Sequence, residues 1–157
     1  MLFHLPKLIT VGIDIAAWLA IHIGVSYMAT RIPLHSFNPE SWLFRKRRWE
    51  KDGWLYSGLF QVKRWKNRLP DGAAAFKGGF EKRHLRETSE EYFADFVRET
   101  CRAELTHWIT FLFGPVFLIW NIWWVGLIMV GYASVVNIPC ILTQRYNRIR
   151  LRGMVGS

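Results

Sequence analysis

LTHWITFLFGPVFLIWNIWWVGLIMVGYASVVNIPCILT, residues 105–143, contains no Lys, Arg, Asp or Glu over its 39 positions. A helix needs about 20 apolar residues to cross the hydrocarbon core of a bilayer, so the stretch is long enough for two crossings. Gly114-Pro115 and Asn121 lie between the two halves and can interrupt a helix. The sequence therefore predicts a hairpin whose two ends lie on the same face of a membrane.

A second apolar run occupies residues 8–29 near the start of the chain. It is longer than the apolar core of a signal peptide, Lys7 is the only Lys or Arg before it, and it contains Asp14 and His22. We interpret it as a retained transmembrane helix. Because Asp14 lies toward the outer end, we expect it to pair with another helix, whereas His22 can line a cavity.

The distribution of charge predicts the topology. The chain carries a formal net charge of +9, and its Lys and Arg residues concentrate in 30–104 and in the tail, 144–157. Short loops rich in Lys and Arg stay in the cytoplasm, so both segments are expected there and the N-terminus outside. The predicted fold is an all-α integral membrane protein of one domain, with three transmembrane helices (N-out, C-in) at 8–29, 105–120 and 122–143.

The cytoplasmic segment is basic and rich in Trp, a composition typical of a helical region at a membrane interface. Helices are predicted at 39–51, after a cap at Asn38, and at 54–67, with a break at Asp52-Gly53. Anionic membrane lipid is the expected partner of their basic and aromatic faces. Nucleic acid is disfavoured as a partner because the segment is tethered between spans, whereas a basic loop without any ligand remains an open alternative.

The approach to the second span contains a turn, a loop and a helix start. Leu69–Gly72 has the composition of a turn, and 73–87 has that of a flexible loop. Thr88 and Glu91 have the spacing of a capping box. The apolar periodicity that begins there continues into the membrane, so we expect one helix to run from the cytoplasm into residues 105–120.

Two polar residues share a helical face where this helix enters the membrane. Glu104 and His107 are three residues apart, so the carboxylate can orient the imidazole ring and raise its basicity. This arrangement is typical of a general base that takes a proton from a hydroxyl group. A salt-bridged interfacial histidine without a catalytic role is the alternative.

A second polar cluster stands near the cytoplasmic end of the last span, and it consists of Asn137, Gln144, Arg145, Asn147 and Arg148. Asn137, Gln144 and Arg148 share a face if the helix continues through Pro139. An amide at the depth of Asn137 is costly unless it faces the bundle interior. Arg145 and Arg148 can bind a phosphate or an oxyanion; a simple positive-inside anchor is the alternative.

Several common sites are missing from the sequence. Cys101 and Cys140 indicate two free, buried thiols rather than a disulfide framework. There is no phosphate-binding glycine loop, no zinc-type Cys/His spacing and no Gly-x-Ser-x-Gly motif. The His-x-x-x-x-Asp pattern of soluble glycerolipid acyltransferases is only approximated by His35 and Glu40, with a Pro between them. Neither a bound cofactor nor a metal is expected.

Seven fragments occur in an order that resembles one family of bacterial membrane proteins. They are Thr30-Arg31-Ile32-Pro33, Glu50-Lys51-x-Gly53, Val62-Lys63-x-Trp65-Lys66, Leu69-Pro70-Asp71-Gly72, Glu99-Thr100-x-Arg102-Ala103-Glu104-Leu105-x-His107-Trp108, Asn137-x-Pro139 and Gln144-Arg145-Tyr146-Asn147-Arg148-x-Arg150-Leu151. Together they are similar to the glycosyl-4,4'-diaponeurosporenoate acyltransferase family, whose enzyme completes staphyloxanthin by esterifying the sugar of a carotenoid glycoside with a fatty acid. The resemblance covers residues 30–151.

The resemblance implies transfer of a fatty acyl group to a sugar hydroxyl of a lipid-borne glycoside, at the cytoplasmic face of the bacterial cell membrane. The implied donor is a fatty acyl thioester, either acyl-CoA or acyl-carrier protein. In this chemistry His107, oriented by Glu104, is the expected base. The oxyanion or the phosphates of the donor are assigned to Arg145, Asn147, Arg148, Asn137 and Gln144. Substrate contacts are assigned to Lys63, Trp65, Lys66, Asp71 and Arg102.

Other hypotheses remain open at this point. The chain can be a non-catalytic membrane adaptor or lipid-binding subunit. It can also be another lipid-modifying enzyme, such as a methyltransferase or reductase, although no residues of a nucleotide-cofactor pocket are recognisable. Within the acyltransferase hypothesis, a covalent acyl-enzyme through Cys101 or Cys140 is a further option. The sequence indicates neither the acyl chain nor the oligomeric state.

Overall fold

The computed structural model describes residues 6–69 and 89–155, with side chains up to Gly153. The described residues form helices and turns, and none of them lies in a β-strand, which confirms the predicted all-α class. The α-helices in these ranges are α1 (Lys7–Arg31), α2 (Val62–Trp65), α3 (Glu90–Leu112) and α4 (Trp123–Val155). Turns of 3₁₀ helix cover Leu34–Ser36, Arg48–Gly53, Lys66–Arg68 and Gly114–Leu118, and a π turn covers Leu55–Leu59.

The uncharged stretch forms the predicted hairpin. α3 and α4 pack against each other in opposite directions, with Glu104 bound to Arg145 at one end and Gly114 against α4 at the other. The first arm is shorter than predicted, because α3 ends at Leu112 and the chain continues as a 3₁₀ turn. Pro115, at the start of that turn, has no N–H to continue the α-helical ladder.

Two helices within the described ranges are long and apolar enough to cross a membrane, Lys7–Arg31 and Trp123–Gly153. They correspond to the predicted spans 8–29 and 122–143. The protein itself buries only 11% of the first and 22% of the second apolar window, as expected when lipid covers the remainder. Residues 105–120 do not form one helix of spanning length, so the third crossing stays a prediction.

Glycine at two positions lets the hairpin close. A Cβ atom at Gly126 would overlap the side chain of Leu118, and one at Gly114 would lie 3.0 Å from a side chain of α4. Because glycine has no Cβ atom, the 3₁₀ turn can lie directly on α4. The closed tip buries Phe117 completely, and its ring stacks on Trp18 of α1 with 4.5 Å between centroids.

A buried carboxylate attaches α1 to the tip of the hairpin. Asp14 Oδ1 accepts a hydrogen bond from Trp120 Nε1 at 2.7 Å and one from Asn121 Nδ2 at 2.8 Å. Only 5% of Asp14 is exposed. These contacts confirm the predicted helix-pairing role. His22 lies 3.5 Å from the hydroxyl of Tyr132 on α4, and its predicted role in lining a cavity stays a prediction.

The two helices predicted for the basic segment, 39–51 and 54–67, are wrong. The chain between α1 and α3 instead folds into the short turns given above. Lys51 and Asp52 have φ values of 45° and 52°, and Gln61 has a φ of 47°. An L-residue in this left-handed region ends a right-handed helix, so neither segment continues as one. The predicted break at Asp52-Gly53 is therefore confirmed, whereas the helices on either side of it are not.

α3 begins one residue later than the capping prediction placed it. Ser89 is the cap, and its hydroxyl oxygen accepts a hydrogen bond from the N–H of Tyr92 at 3.2 Å. A hydroxyl at this position satisfies one of the donors that a helix start leaves unpaired. The capping residue proposed from sequence, Thr88, lies outside the described residues, and so do the turn residues 70–72 and the loop 73–87.

The basic segment folds back onto α3 and the C-terminal half of α4. Phe37 and Phe44 pack on Cys101 of α3, and Tyr56 and Val62 pack on Tyr146 of α4. The indoles of Trp42, Trp49 and Trp54 are left 72%, 60% and 58% exposed. Their expected contact with anionic lipid stays a prediction.

We expect Asp14→Leu to lower the stability of the protein in detergent by roughly 1–3 kcal/mol, because the donors of Trp120 and Asn121 lose their acceptor. Thermal unfolding of the purified protein measures this loss. Ile15→Ala, at a neighbouring exposed position, is the matched control and should unfold close to the wild type. Equal unfolding temperatures for Asp14→Leu and the control would contradict the attachment.

Candidate active site

The carboxylate of Glu104 joins α3 to α4 at the end of the hairpin opposite its tip. Its Oε1 accepts hydrogen bonds from Arg145 Nη1 at 2.7 Å and from Trp108 Nε1 at 3.3 Å, and its Oε2 is bound by Arg148 Nη2. Glu104 is fully buried, and Arg148 is 2% exposed. A buried carboxylate of this kind is tolerable only when it is paired.

Arg145 extends the network into the basic segment. Its Nε lies 2.9 Å from Glu50 Oε1 and 3.2 Å from the hydroxyl of Tyr56, and its Nη1 donates to the Leu43 carbonyl at 3.0 Å. Glu50 has no exposed surface and also accepts hydrogen bonds from Tyr56 and from a backbone N–H. Two buried carboxylates and two guanidinium groups therefore balance one another.

The protonation of Glu50 follows from these contacts. Burial by itself raises the pKa of the Glu50 carboxyl, but hydrogen bonds from Arg145 and Tyr56 and the Arg47 N–H lower it, and the net pKa lies below its ordinary value. Burial and the hydrogen bond to Glu50 raise the pKa of Tyr56, so its hydroxyl stays a donor. Stability from Glu50 is therefore full above the ordinary carboxyl pKa and is lost as the pH falls through the folded value.

His107 is oriented by Asn137 of the facing helix. Nδ1 of the ring lies 3.0 Å from Asn137 Oδ1, and Nδ2 of Asn137 donates to the Ala133 carbonyl at 2.9 Å. The amide oxygen is thus the acceptor, so Nδ1 of His107 is the donor, and in a neutral ring Nε2 is then the basic nitrogen. The orienting contact that the sequence assigned to Glu104 is made by Asn137 instead, because Glu104 is used to bind the two arginines.

The polar residues of the second cluster lie on one uninterrupted helix. α4 continues through Pro139, which confirms the shared face of Asn137, Gln144 and Arg148. The eleven positions from Asn137 to Arg148 correspond to about 16 Å of helix. The His107–Asn137 pair and the ion pairs of Arg145 and Arg148 therefore lie at different depths, and an oxyanion role for these arginines stays a prediction.

Lys66 meets the end of the cluster from the basic segment. Its Nζ donates to Asn147 Oδ1 at 3.1 Å and lies 5.3 Å from the ring centroid of Tyr146. Burial lowers the pKa of the Lys66 ammonium, and the nearby charges of Arg150 and Lys63 lower it further. The predicted binding residues Lys66 and Asn147 are thus brought together, with Lys63 beside them.

The other residues predicted to contact substrate do not gather around His107. Trp65 donates its indole N–H to the Phe60 carbonyl at 2.8 Å and packs in the cluster around Tyr56. Arg102 pairs with Glu99 at 3.1 Å and lies over the ring of Phe37. Asp71 lies outside the described residues. The structure thus does not bring Trp65 or Arg102 next to His107.

An open cleft of about 570 Å³ lies beside the ion-pair network. Basic side chains outnumber acidic ones along its walls, where Lys46, Arg150 and Arg152 join Arg145 and Arg148. The cleft therefore favours an anionic ligand at the C-terminal end of α4.

The described residues support neither a nucleophilic Cys101 nor a metal ion at this site. Cys101 is fully buried, and burial raises its pKa to about 11, with Arg148 opposing the shift. At neutral pH it is a thiol rather than the thiolate that acts as a nucleophile. In the described part of the chain, no three His, Cys, Asp or Glu side chains are grouped as metal ligands.

Sequence reasoning missed Glu50 and Tyr56. Glu50 stands in the fragment Glu50-Lys51-x-Gly53, so its position was noticed, but its partner lies 95 residues away on α4. Tyr56 belongs to none of the seven fragments. A carboxylate in a run of basic residues, followed by Asp-Gly, was the available signal for a folded turn.

We expect Glu104→Gln to destabilise the protein by about 3–5 kcal/mol, because it leaves buried guanidinium charge uncompensated. Chemical unfolding in detergent measures the change, and Glu91→Gln, at an exposed position of the same helix, is the control. In the double variant with Arg148→Met the loss should be smaller than the sum of the single losses. Strict additivity would show that the two side chains do not interact.

Known proteins that are similar to this chain identify its family. A sequence model of the glycosyl-4,4'-diaponeurosporenoate acyltransferase family matches residues 39–157. Proteins of that name from Staphylococcus aureus strains bovine RF122 / ET3-1, USA300 and NCTC 8325 / PS 47 are each 35% identical over 136 residues, which cover 85% of this chain and 81% of theirs. No solved structure matches. The chain therefore belongs to the glycosyl-4,4'-diaponeurosporenoate acyltransferase family and is an acyltransferase.

Proposed function

We propose that the protein transfers a fatty acyl group from a thioester to a sugar hydroxyl of a lipid-borne glycoside, with a carotenoid glycoside as the acceptor. The names of the relatives support the acceptor and the acyl transfer. The observation that carries the chemistry is the contact between Nδ1 of His107 and Asn137, 3.0 Å long. It selects the tautomer whose Nε2 can accept a proton.

The reaction needs only one proton shuttle. Nε2 of His107 takes the proton of the sugar hydroxyl while the hydroxyl oxygen adds to the thioester carbonyl. The tetrahedral intermediate then collapses, the carbon–sulfur bond breaks, and the imidazolium returns the proton to the departing thiolate. The products are the ester and the free thiol. Because Cys101 is buried and protonated, direct transfer is favoured over an acyl-enzyme on that thiol.

The buried ion pairs support this chemistry by holding α3 and α4 in place relative to each other. Glu104 lies one helical turn from His107 on α3, and its arginine partners lie on α4. The pairing fixes the register of the two helices, and this register sets His107 opposite Asn137. Glu104, Arg145 and Arg148 therefore act as positioning residues in this mechanism.

We place this site at the cytoplasmic face of a three-span protein with its N-terminus outside. Asp14, which binds the hairpin tip, is 17 positions from Arg31, or about 26 Å along α1. The hydrocarbon core is about 30 Å thick, so a tip at that height lies near the opposite boundary. Trp120, Trp123 and Trp124 around the tip are typical of an interfacial aromatic belt, and the basic segment remains on the cytoplasmic side.

We expect His107→Ala to abolish acyl transfer and Asn137→Leu to lower kcat by about 10²-fold or more, since the latter removes the group that selects the reactive tautomer. Asn137→Asp keeps the acceptor and should retain more activity than Asn137→Leu. The measurement is ester formation by protein in lipid nanodiscs, supplied with an acyl thioester and a carotenoid glycoside.

His35→Ala is the matched control, because this exposed histidine lies outside the proposed site and its variant should keep wild-type kcat. Normal ester formation by a correctly inserted His107→Ala variant would remove His107 from the mechanism.

A further inference from the structure

The cleft beside the ion-pair network is large enough for a small organic ligand. Its volume of about 570 Å³ lies within the roughly 300–1,000 Å³ that is typical of small-molecule sites, and a single phosphate would leave most of it unfilled. Part of its lining comes from the basic segment between α1 and α3, and the rest comes from the last turns of α4. The cleft therefore forms only where the ion pairs hold these two parts of the chain together.

Positive charge is in excess around the cleft. Five basic side chains line it against three carboxylates, and one positive charge remains even when Glu104 is counted as a partner of Arg145 and Arg148. Arg150 is the exposed cation that makes this difference, since no carboxylate of the described residues forms an ion pair with it. A guanidinium group in this position is suited to bind a phosphate through paired hydrogen bonds.

Two exposed ion pairs place further cations on the same lining. Lys46 pairs with Asp52, and Arg152 pairs with Glu40, and the four side chains are between 41% and 84% exposed. Exposed pairs of this kind contribute little net stability, because water and salt screen them. A ligand phosphate can therefore take over Lys46 and Arg152 at little cost, so that together with Arg150 they offer cationic contacts to more than one phosphate.

The cleft also has an apolar part. Phe44 and Ile149 line it beside the cations, and the guanidinium carbon of Arg148 lies 5.5 Å from the centroid of the Phe44 ring. Aromatic side chains and guanidinium planes are surfaces on which a planar base can stack. A lining that combines such surfaces with phosphate-binding cations is suited to a nucleotide, whereas a free phosphate or a lipid headgroup would use only the cations.

We propose that this cleft binds the nucleotide end of acyl-CoA, so that the acyl donor is a CoA thioester rather than an acyl-carrier protein; the proposal rests on the acyl-transfer function given above. Along α4, the cleft residues Arg145 and Arg152 lie about 12 and 22 Å from Asn137. The extended pantetheine arm of CoA can cover such a distance, so its thioester can reach His107, the partner of Asn137. A carrier protein has the same arm but no nucleotide to place in the cleft.

Binding of CoA itself tests the site without any acyl transfer. CoA is titrated calorimetrically into the protein in phosphatidylcholine nanodiscs, without anionic lipid and without an acceptor. We expect 4'-phosphopantetheine, which lacks the adenosine and two of the three phosphates, to bind at least roughly tenfold more weakly than CoA. Adenosine 3',5'-bisphosphate, which lacks the arm, should compete with CoA.

Variants of the lining assign this binding to residues. Arg150→Gln should raise the Kd of CoA by roughly tenfold and leave that of 4'-phosphopantetheine unchanged. Arg64→Gln removes the same charge from an exposed position of the basic segment that does not line the cleft, and it should change neither. Asp52→Asn should lower the Kd of CoA severalfold, because Lys46 is released to bind a phosphate, and asparagine accepts the left-handed backbone at this position.

Acyl transfer from CoA and from acyl-carrier protein, each with the same acyl chain, tests the choice of donor. We expect Arg150→Gln to raise the KM of acyl-CoA by the same factor as the Kd of CoA and to leave kcat unchanged. Adenosine 3',5'-bisphosphate should inhibit transfer from acyl-CoA competitively. A lower KM for acyl-carrier protein than for acyl-CoA, unaffected by this inhibitor, would contradict the proposal.

The outcomes separate the nucleotide site from the function on which it rests. If the glycoside is acylated but CoA does not bind, or Arg150→Gln and Arg64→Gln weaken CoA equally, the nucleotide site is wrong and the function stands. If phosphatidylglycerol in the nanodisc displaces CoA as effectively as adenosine 3',5'-bisphosphate does, the cations bind a lipid headgroup instead. If CoA binds as expected but neither donor yields an acylated glycoside, the proposed function fails, and the donor role of CoA fails with it.

Discussion

The buried ion pairs of Glu104 and Glu50 with Arg145 and Arg148 are the interaction on which the rest of the structure depends. They join three parts of the chain at one end of the hairpin: α3, α4 and the turns between α1 and α3. Because each charge is taken out of water, its neutralisation requires its partner to be correctly placed. The network therefore specifies the arrangement of this end of the hairpin more than it adds net stability.

The geometry of the proposed catalytic site, His107 with Asn137, follows from that arrangement. Once Glu104 is opposite Arg145 and Arg148, the antiparallel packing of α3 and α4 brings His107 to Asn137 one turn deeper. At the other end of the hairpin, Asp14 fixes α1 to Trp120 and Asn121. The protein thus uses two buried carboxylate sites to hold three long helices, and the ring of His107 lies between them in depth.

The sequence predicted the hairpin and the polar ends well because both depend on local composition. A run as long as 105–143 without charged residues can fold in only a few ways. A carboxylate within an apolar helix, such as Asp14, needs hydrogen-bond donors from a neighbouring element. Prediction was weaker where a partner is distant in the chain. Spacing linked His107 to Glu104, three positions away, whereas its observed partner, Asn137, lies 30 positions away on another helix.

The basic segment could not be predicted for a different reason. Its amphipathic composition suits a helix, but Lys51 and Gln61 adopt left-handed backbone conformations, which local propensity disfavours for residues other than Gly, Asn and Asp. Tertiary contacts, including those of Glu50 and Tyr56 with Arg145, decide the conformation there. Such contacts leave no periodic signal in the sequence.

The most direct test of the account is mass spectrometry of lipid extracts from bacteria that make the carotenoid glycoside, with and without this protein. The account predicts a product that is heavier than the glycoside by one fatty acid less one water, and that forms only when the protein is made. Unchanged glycoside in cells that contain the inserted protein and an adequate supply of acyl thioester would contradict it.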